Sequence, residues 1–157
     1  MPRSGILRRL DGWARRALLA RPRTARSLLA RFLPELALRL LDARDPDFAA
    51  AGERLVERRL RARGWRFVAR RLETRWAELD LLFAEDDTLV VVEVKTGRAG
   101  PRFRPGMRLG AEALERLWRA ADALARGGPR RVDLVEVALD ERRRARLHHH
   151  FGLRFPL

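Results

Sequence analysis

The chain has 157 residues, room for one domain of ordinary size, or for a domain of about 110 residues with a long extension. It carries 35 Lys plus Arg against 21 acidic residues, a formal charge of +14 and a pI near 11.7, which favours polyanions: nucleic acid first, an anionic membrane surface second. Without cysteine there is no disulfide framework, thiolate zinc site or cysteine nucleophile; a 46% hydrophobic content affords a core, so wholesale disorder is not expected, and no apolar run approaches the ~18–20 residues of a helical bilayer span.

The early arginines are not followed by the apolar stretch of a secretory signal, so a cytoplasmic location is expected. Residues 1–46 hold eleven Arg and four acids, net +7, half of the excess charge. Ile6, Leu10, Trp13 and Ala17 fall at helical spacing among arginines, and Ser27–Leu33 and Pro34–Leu41 read as two more short helices. This basic helical extension is either an arm that lies on nucleic acid or membrane, or a helical hairpin packed on the main domain, 47–157. Asp45-Pro46 then opens a helix, with Asp as N-cap and Pro in the first turn, that stops at Gly64.

Trp65–Leu72 alternates as a half-buried strand, and Glu78–Ala84 and Leu89–Lys95 follow as two more around an acidic turn. Residues 96–110, rich in Gly, Pro and Arg, read as a loop. Ala111–Arg126 is amphipathic, with Leu114, Leu117, Ala121 and Leu124 on one face, and ends at Gly127-Gly128-Pro129. Arg131–Leu139 is a fourth strand and Leu147–Phe151 a short fifth. The fold class is α/β, with a mixed sheet.

The chemistry is concentrated in the Glu78–Lys95 hairpin. A two-residue loop at Asp86-Asp87 pairs residues whose numbers sum to 173: Leu79 with Val94, Leu81 with Val92 and Phe83 with Val90 on an apolar face, Asp80 with Glu93 and Glu78 with Lys95 on the other. Opposed carboxylates repel unless a cation lies between them or one is protonated. Asp80 and Glu93, with the main-chain carbonyl of Val94, make a hard oxygen set suited to Mg²⁺ or Mn²⁺. Of the 35 basic residues 34 are arginine, and the single lysine, Lys95, falls beside these acids. An ammonium there can orient or help deprotonate an attacking water, a task that an always-charged guanidinium does not share. The alternative is a plain Glu78–Lys95 cross-strand ion pair, with Asp80 and Glu93 facing water.

Asp80 with Glu93-Val94-Lys95 resembles the PD-(D/E)xK nuclease core. Gly52-Glu53, Gly64-Trp65, Phe67-Val68, Glu78-Leu79-Asp80-Leu81, Val92-Glu93-Val94-Lys95 and Arg131-Val132-Asp133-Leu134-Val135 together resemble the YraN-like family of endonuclease-like bacterial proteins, over residues 52–151. The resemblance implies a restriction-endonuclease-like fold related to Holliday-junction resolvases. It also implies nucleic-acid binding, and Glu53 as a further acid of the site, although a surface glutamate favoured by the helix dipole fits the same position. The chain departs from the family pattern at Arg71, Ala77, Gly97 and Ala113, where Asn, Gly, Arg and Lys are usual.

The expected function is a metal-dependent nuclease acting on DNA rather than RNA, branched or structured DNA included. Asp80, Glu93, Lys95 and Glu53 would be catalytic, and Arg75, Trp76, Arg98, Arg102, Arg104 and Arg116 would contact the strand. The alternative is a non-catalytic nucleic-acid-binding module that keeps the nuclease fold. The oligomeric state is open. His148, His149 and His150 are a weaker metal candidate, since successive strand residues point to opposite faces.

Overall fold

The computed structural model describes residues 23–100 and 104–154; the first helical repeat (Ile6 to Ala17) and Arg102 lie outside them. Helices α1 (Arg23–Phe32) and α2 (Pro34–Leu40) precede α3 (Pro46–Ala62). As the sequence suggests, the Asp45 carboxylate caps α3 by accepting from Asp47 N at 3.0 Å, Pro46 opens its first turn, and Gly64 beyond its end adopts φ +91°. Strands β1 (Arg66–Glu73), β2 (Glu78–Glu85) and β3 (Thr88–Arg98) lead to a 3₁₀ turn (Pro105–Arg108), helix α4 (Ala111–Ala125), β4 (Arg130–Leu139) and β5 (Ala145–His150).

The sheet order is β1-β2-β3-β4-β5, antiparallel except for the parallel pair β3–β4 that α4 connects. It is a mixed five-stranded sheet flanked by helices, the restriction-endonuclease-like α/β arrangement. Leu81, Phe83, Val90, Val92, Val135 and Val137 pack on α3, and α1, α2 and the residue after α2 add Ala30, Ala37, Leu38 and Leu41 to that same core. Leu82, Val91 and Val132 pack on Leu117, Ala120 and Ala121 of α4. The half of the basic extension that is described is therefore a helical pair packed on α3. Arg58 of α3 ties it down by donating to the carbonyls of Arg31 and Phe32, at 3.3 and 2.8 Å.

Three expectations change. Alternation in the hairpin predicts one apolar and one polar face, but both faces are covered, so Leu82 and Val91 are as buried as Leu81 and Val92. Residues 96–98 are strand, because Thr96, Gly97 and Arg98 continue the ladder against Val137, Ala138 and Leu139; the Gly and Arg content had suggested a loop. On α4 the buried face is Leu117, Ala120 and Ala121, while Leu124 is exposed near the end of the helix.

Helix α3 crosses β3 very closely at Gly52, where an added Cβ would lie 1.9 Å from Thr96 Oγ1. Gly52→Ala is expected to cost about 1–3 kcal/mol, the usual range for overpacking, and to push the neighbouring Glu53 out of place. A urea melt equal to that of the parent would refute this.

Candidate active site

Between β2 and β3 the predicted register holds for Leu81–Val92, Leu82–Val91, Phe83–Val90, Ala84–Leu89 and Glu85–Thr88, each summing to 173, and then stops. Beyond it Glu78 and Leu79 stay on β1, paired with Glu73 and Leu72, while Glu93 to Arg98 stay on β4. The sheet forks here. The expected backbone pairs Leu79–Val94, Asp80–Glu93 and Glu78–Lys95 do not form. In their place the Asp80 carboxylate reaches across the fork and accepts the Val94 N–H at 2.8 Å. A side chain thus satisfies a strand N–H that the missing ladder would have left unpaired.

Around the fork each acid has its own donor. Glu93, 8% exposed, accepts from Lys95 Nζ at 2.5 Å, so the lone lysine pairs with the acid on its own strand and not with Glu78. Glu53, on α3 and 6% exposed, is gripped at two points by Arg71, Nε to Oε2 at 3.0 Å and Nη2 to Oε1 at 2.9 Å. Arg71 reaches it from a left-handed backbone, φ 48°, a conformation that costs a non-glycine residue about 1–2 kcal/mol. The two charge-assisted hydrogen bonds to a buried carboxylate offset that strain. Sequence reasoning missed this contact; its one signal was an arginine where the resembling family often has Asn.

Burial, and then the negative charge of Glu93, push the Asp80 carboxyl up to about 7; Glu53 adds to the rise, while the Val94 N–H and Lys95 oppose it. Three acids thus share one electrostatic neighbourhood. Among the described residues no three acidic or histidine side chains enclose a metal position. The carboxylate oxygens nearest the fork are those of Asp80 and Glu93, with Glu53 held back by Arg71. These are hard oxygens under mutual repulsion, which a divalent cation would relieve, so the donor chemistry fits Mg²⁺ or Mn²⁺.

The pKa has a consequence for stability. An aspartate in the unfolded chain ionises near ~3.9, so without metal the ionisation of Asp80 increasingly disfavours the folded state as pH rises from about 4 to about 7. Asp80→Asn keeps an acceptor for Val94 N–H and cannot ionise. In EDTA near neutral pH and above it should be more stable than the parent, on the order of 1–2 kcal/mol, with the gap closing towards pH ~4. Denaturant melts at the two pH extremes give the answer, and equal stability at high pH would sink the idea.

The expected strand contacts fare unevenly. Arg98 is exposed at the end of β3, and Arg116 is exposed on α4. Arg104 donates to buried Glu136 at 3.1 Å. Arg75 lies over the Trp76 ring, 4.7 Å from its centroid, and Trp76 is half-buried against the α4 side of the core. Trp65 is a core residue, edge-on to Phe83 and His149, and Trp118 donates to the Leu153 carbonyl at 3.0 Å. His149 and His150 go to separate buried acids, Asp133 at 2.9 Å and Glu136 at 2.7 Å, and His148 is exposed.

Compared with known families, residues 52–137 match the model described as "Uncharacterised protein family UPF0102", a stretch that starts at the tight Gly52 crossing and takes in the whole fork and β4 up to Val137. The chain belongs to this family. Among UPF0102 relatives, that of Symbiobacterium thermophilum is 41% identical over 104 residues, 62% of this chain and 88% of the relative. One from Synechococcus sp. (strain JA-3-3Ab) is 40% identical over 96 residues, 59% of this chain and 72% of the relative. The UPF0102 protein of Arthrobacter sp. is 34% identical over 107 residues, 65% and 91% of the two chains. The UPF0102 match thus contains Glu53, Arg71, Asp80, Glu93 and Lys95, and begins after α1 and α2. Among the described residues no helix is long and apolar enough to cross a membrane.

Proposed function

We propose that this UPF0102 protein is a Mg²⁺- or Mn²⁺-dependent nuclease of the cytoplasm that hydrolyses phosphodiester bonds in DNA, branched or structured DNA included. The observation that carries the reading is the fork, where Asp80 and Glu93-Val94-Lys95 meet at the point at which β2 and β3 part. Asp80, Glu93 and the Val94 carbonyl would hold the cation, which when bound supplies Lewis-acid polarisation of the phosphate and lowers the pKa of water. Lys95, fixed by Glu93, orients the attacking water and stabilises charge developing on the phosphate oxygens. Arg98 and Arg104 bind backbone phosphates. The test is cleavage of linear, flapped and four-way DNA with either metal by the parent, Asp80→Ala and Lys95→Ala.

One observation favours a second reading, a non-catalytic nucleic-acid-binding module. Glu53 and Glu93 already have internal cations in Arg71 and Lys95, so the fork is largely compensated without metal. That module would bind nucleic acid equally well in EDTA, unchanged by Asp80→Ala, and cut nothing.

A further inference from the structure

A second concave site adjoins the fork behind Glu53. It is a hollow of about 280 Å³ between α1, α3 and the start of the sheet, lined by Ser27, Arg31, Glu53, Arg54, Arg70 and Arg71, with Asp47 at its edge. Four arginines thus line one small cavity, from three elements far apart in sequence. The acids nearby are already engaged: Glu53 by Arg71, Asp47 by the Ser27 hydroxyl at 2.8 Å, and Glu57, outside the lining, by Arg70 and Arg61.

The arginines themselves are under-satisfied. Arg70 has only 17% of its side chain exposed, and its buried Nε has no acceptor. Arg54 stands 4.0 Å from the nearest Glu57 oxygen, and Arg31 makes no ion pair among the described residues, its guanidinium lying near the Phe32 ring. A buried donor without an acceptor costs about 1–3 kcal/mol, and like charges around one hollow add repulsion. In agreement, burial and the charge of Arg54, Arg71 and Arg31 lower the Arg70 guanidinium to about 10, and burial and Arg31 lower Arg54. An anion with several oxygens would relieve all of this. A phosphoryl group matches the planar forks of guanidinium in size and geometry.

We infer that this hollow is a phosphate-binding subsite for a nucleic-acid strand, built by Arg31, Arg54 and Arg70, with Arg71 as the wall it shares with the fork. The inference deepens the proposed function by naming where the strand is held. It also gives the packed helix α1 a task, since Arg31 comes from outside the region that the UPF0102 match covers. The phosphoryl group comes from a strand end, as a monoester, or from within the strand, as a diester.

The experiment measures strand binding by fluorescence anisotropy in EDTA, so that it is read whether or not the protein cuts. The probes are one single-stranded sequence with a 5′-phosphate and the same sequence with a 5′-hydroxyl, titrated over a range of salt. The variants are Arg31→Ala, Arg31→Ala with Arg54→Ala, and Arg146→Ala on β5 as a control that removes the same charge as Arg31→Ala, each checked for an unchanged melting temperature. The exposed Arg31→Ala alone serves if the double variant melts low. The pocket variants should lose about tenfold in affinity, and the slope of log affinity against log salt should shrink by about 0.7, the value of one phosphate contact on a single strand; Arg146→Ala should do neither. A loss confined to the phosphorylated probe identifies the monoester, and an equal loss on both probes the diester. A parent chain that binds no strand, or pocket variants no weaker than Arg146→Ala, would overturn the inference. Failure of every cleavage assay with this pattern intact would instead remove the nuclease reading alone.

Discussion

Asp80→Ala is expected to abolish metal-dependent DNA cleavage while leaving strand binding within a few-fold of the parent. Asp80 is the residue that spans the fork, so its removal takes away one of two carboxylate donors and the acceptor of Val94 N–H together. Lys95→Ala should lower turnover by about 10²–10⁴-fold, the range for a positioned acid–base or charge-stabilising group. Lys95→Arg should recover little of it. Guanidinium does not deprotonate near neutral pH, and its planar fork does not reproduce an ammonium set 2.5 Å from Glu93 Oε1. Single-turnover cleavage of four-way and flapped DNA with Mg²⁺ or Mn²⁺, with anisotropy in parallel, separates the outcomes. Cleavage that persists unchanged in both alanine variants assigns the activity elsewhere.

The largest structural effect is expected at Asp133 on β4, which is fully buried. Its carboxylate accepts from Arg131 Nε at 2.8 Å, from Gly152 N at 2.8 Å, and meets His149 Nε2 at 2.9 Å. Arg131 reaches on to Glu85, the last residue of β2, at 2.7 Å. One buried acid therefore ties together β4, β5, the C-terminal segment and the hairpin. Asp133→Ala leaves Arg131 half-paired and a buried imidazole without its partner, and should cost about 3–5 kcal/mol, a large share of the roughly 5–15 kcal/mol that stabilises a domain. Denaturant melts at neutral pH measure it, and a loss below about 1 kcal/mol would show the network to be ornamental.

The same residue has a signed pH dependence. Burial raises the Asp133 carboxyl, but the hydrogen bonds from His149, Arg131 and Gly152 outweigh it and hold the group below the usual carboxylate range. A depressed native value means that its stabilisation is complete above the unfolded value of ~3.9 and is lost as pH falls through the native one. The parent should thus have an acid-unfolding limb that Asp133→Asn flattens.

The sequence by itself determined the element order, the capped start of α3 at Asp45-Pro46, and the hairpin register. That register followed from alternation together with a two-residue loop, both local, and it held wherever β2 and β3 remain paired. Lys95 and Glu93 were legible as a pair of interest because they are two residues apart on one strand, where the pleat brings them to one side. The wholly apolar runs Leu81–Phe83 and Val90–Val92 do not show in the sequence that both of their faces are buried, since that depends on α4 arriving from further along the chain.

Only the tertiary structure decided where that register ends, and what meets what beyond it. Asp80 replaces a strand partner at Val94 because β2 follows β1 and β3 follows β4. Glu53 is answered by Arg71 because α3 crosses β3 closely at Gly52 and a left-handed residue turns the β1 side chain toward it. The arginine hollow needs α1 folded back on α3, which the Arg58 contacts to the α1 carbonyls secure. Composition made almost every cation an interchangeable arginine. Which of them faces a carboxylate, and which lines the hollow, is set by long-range packing that residue order alone does not express.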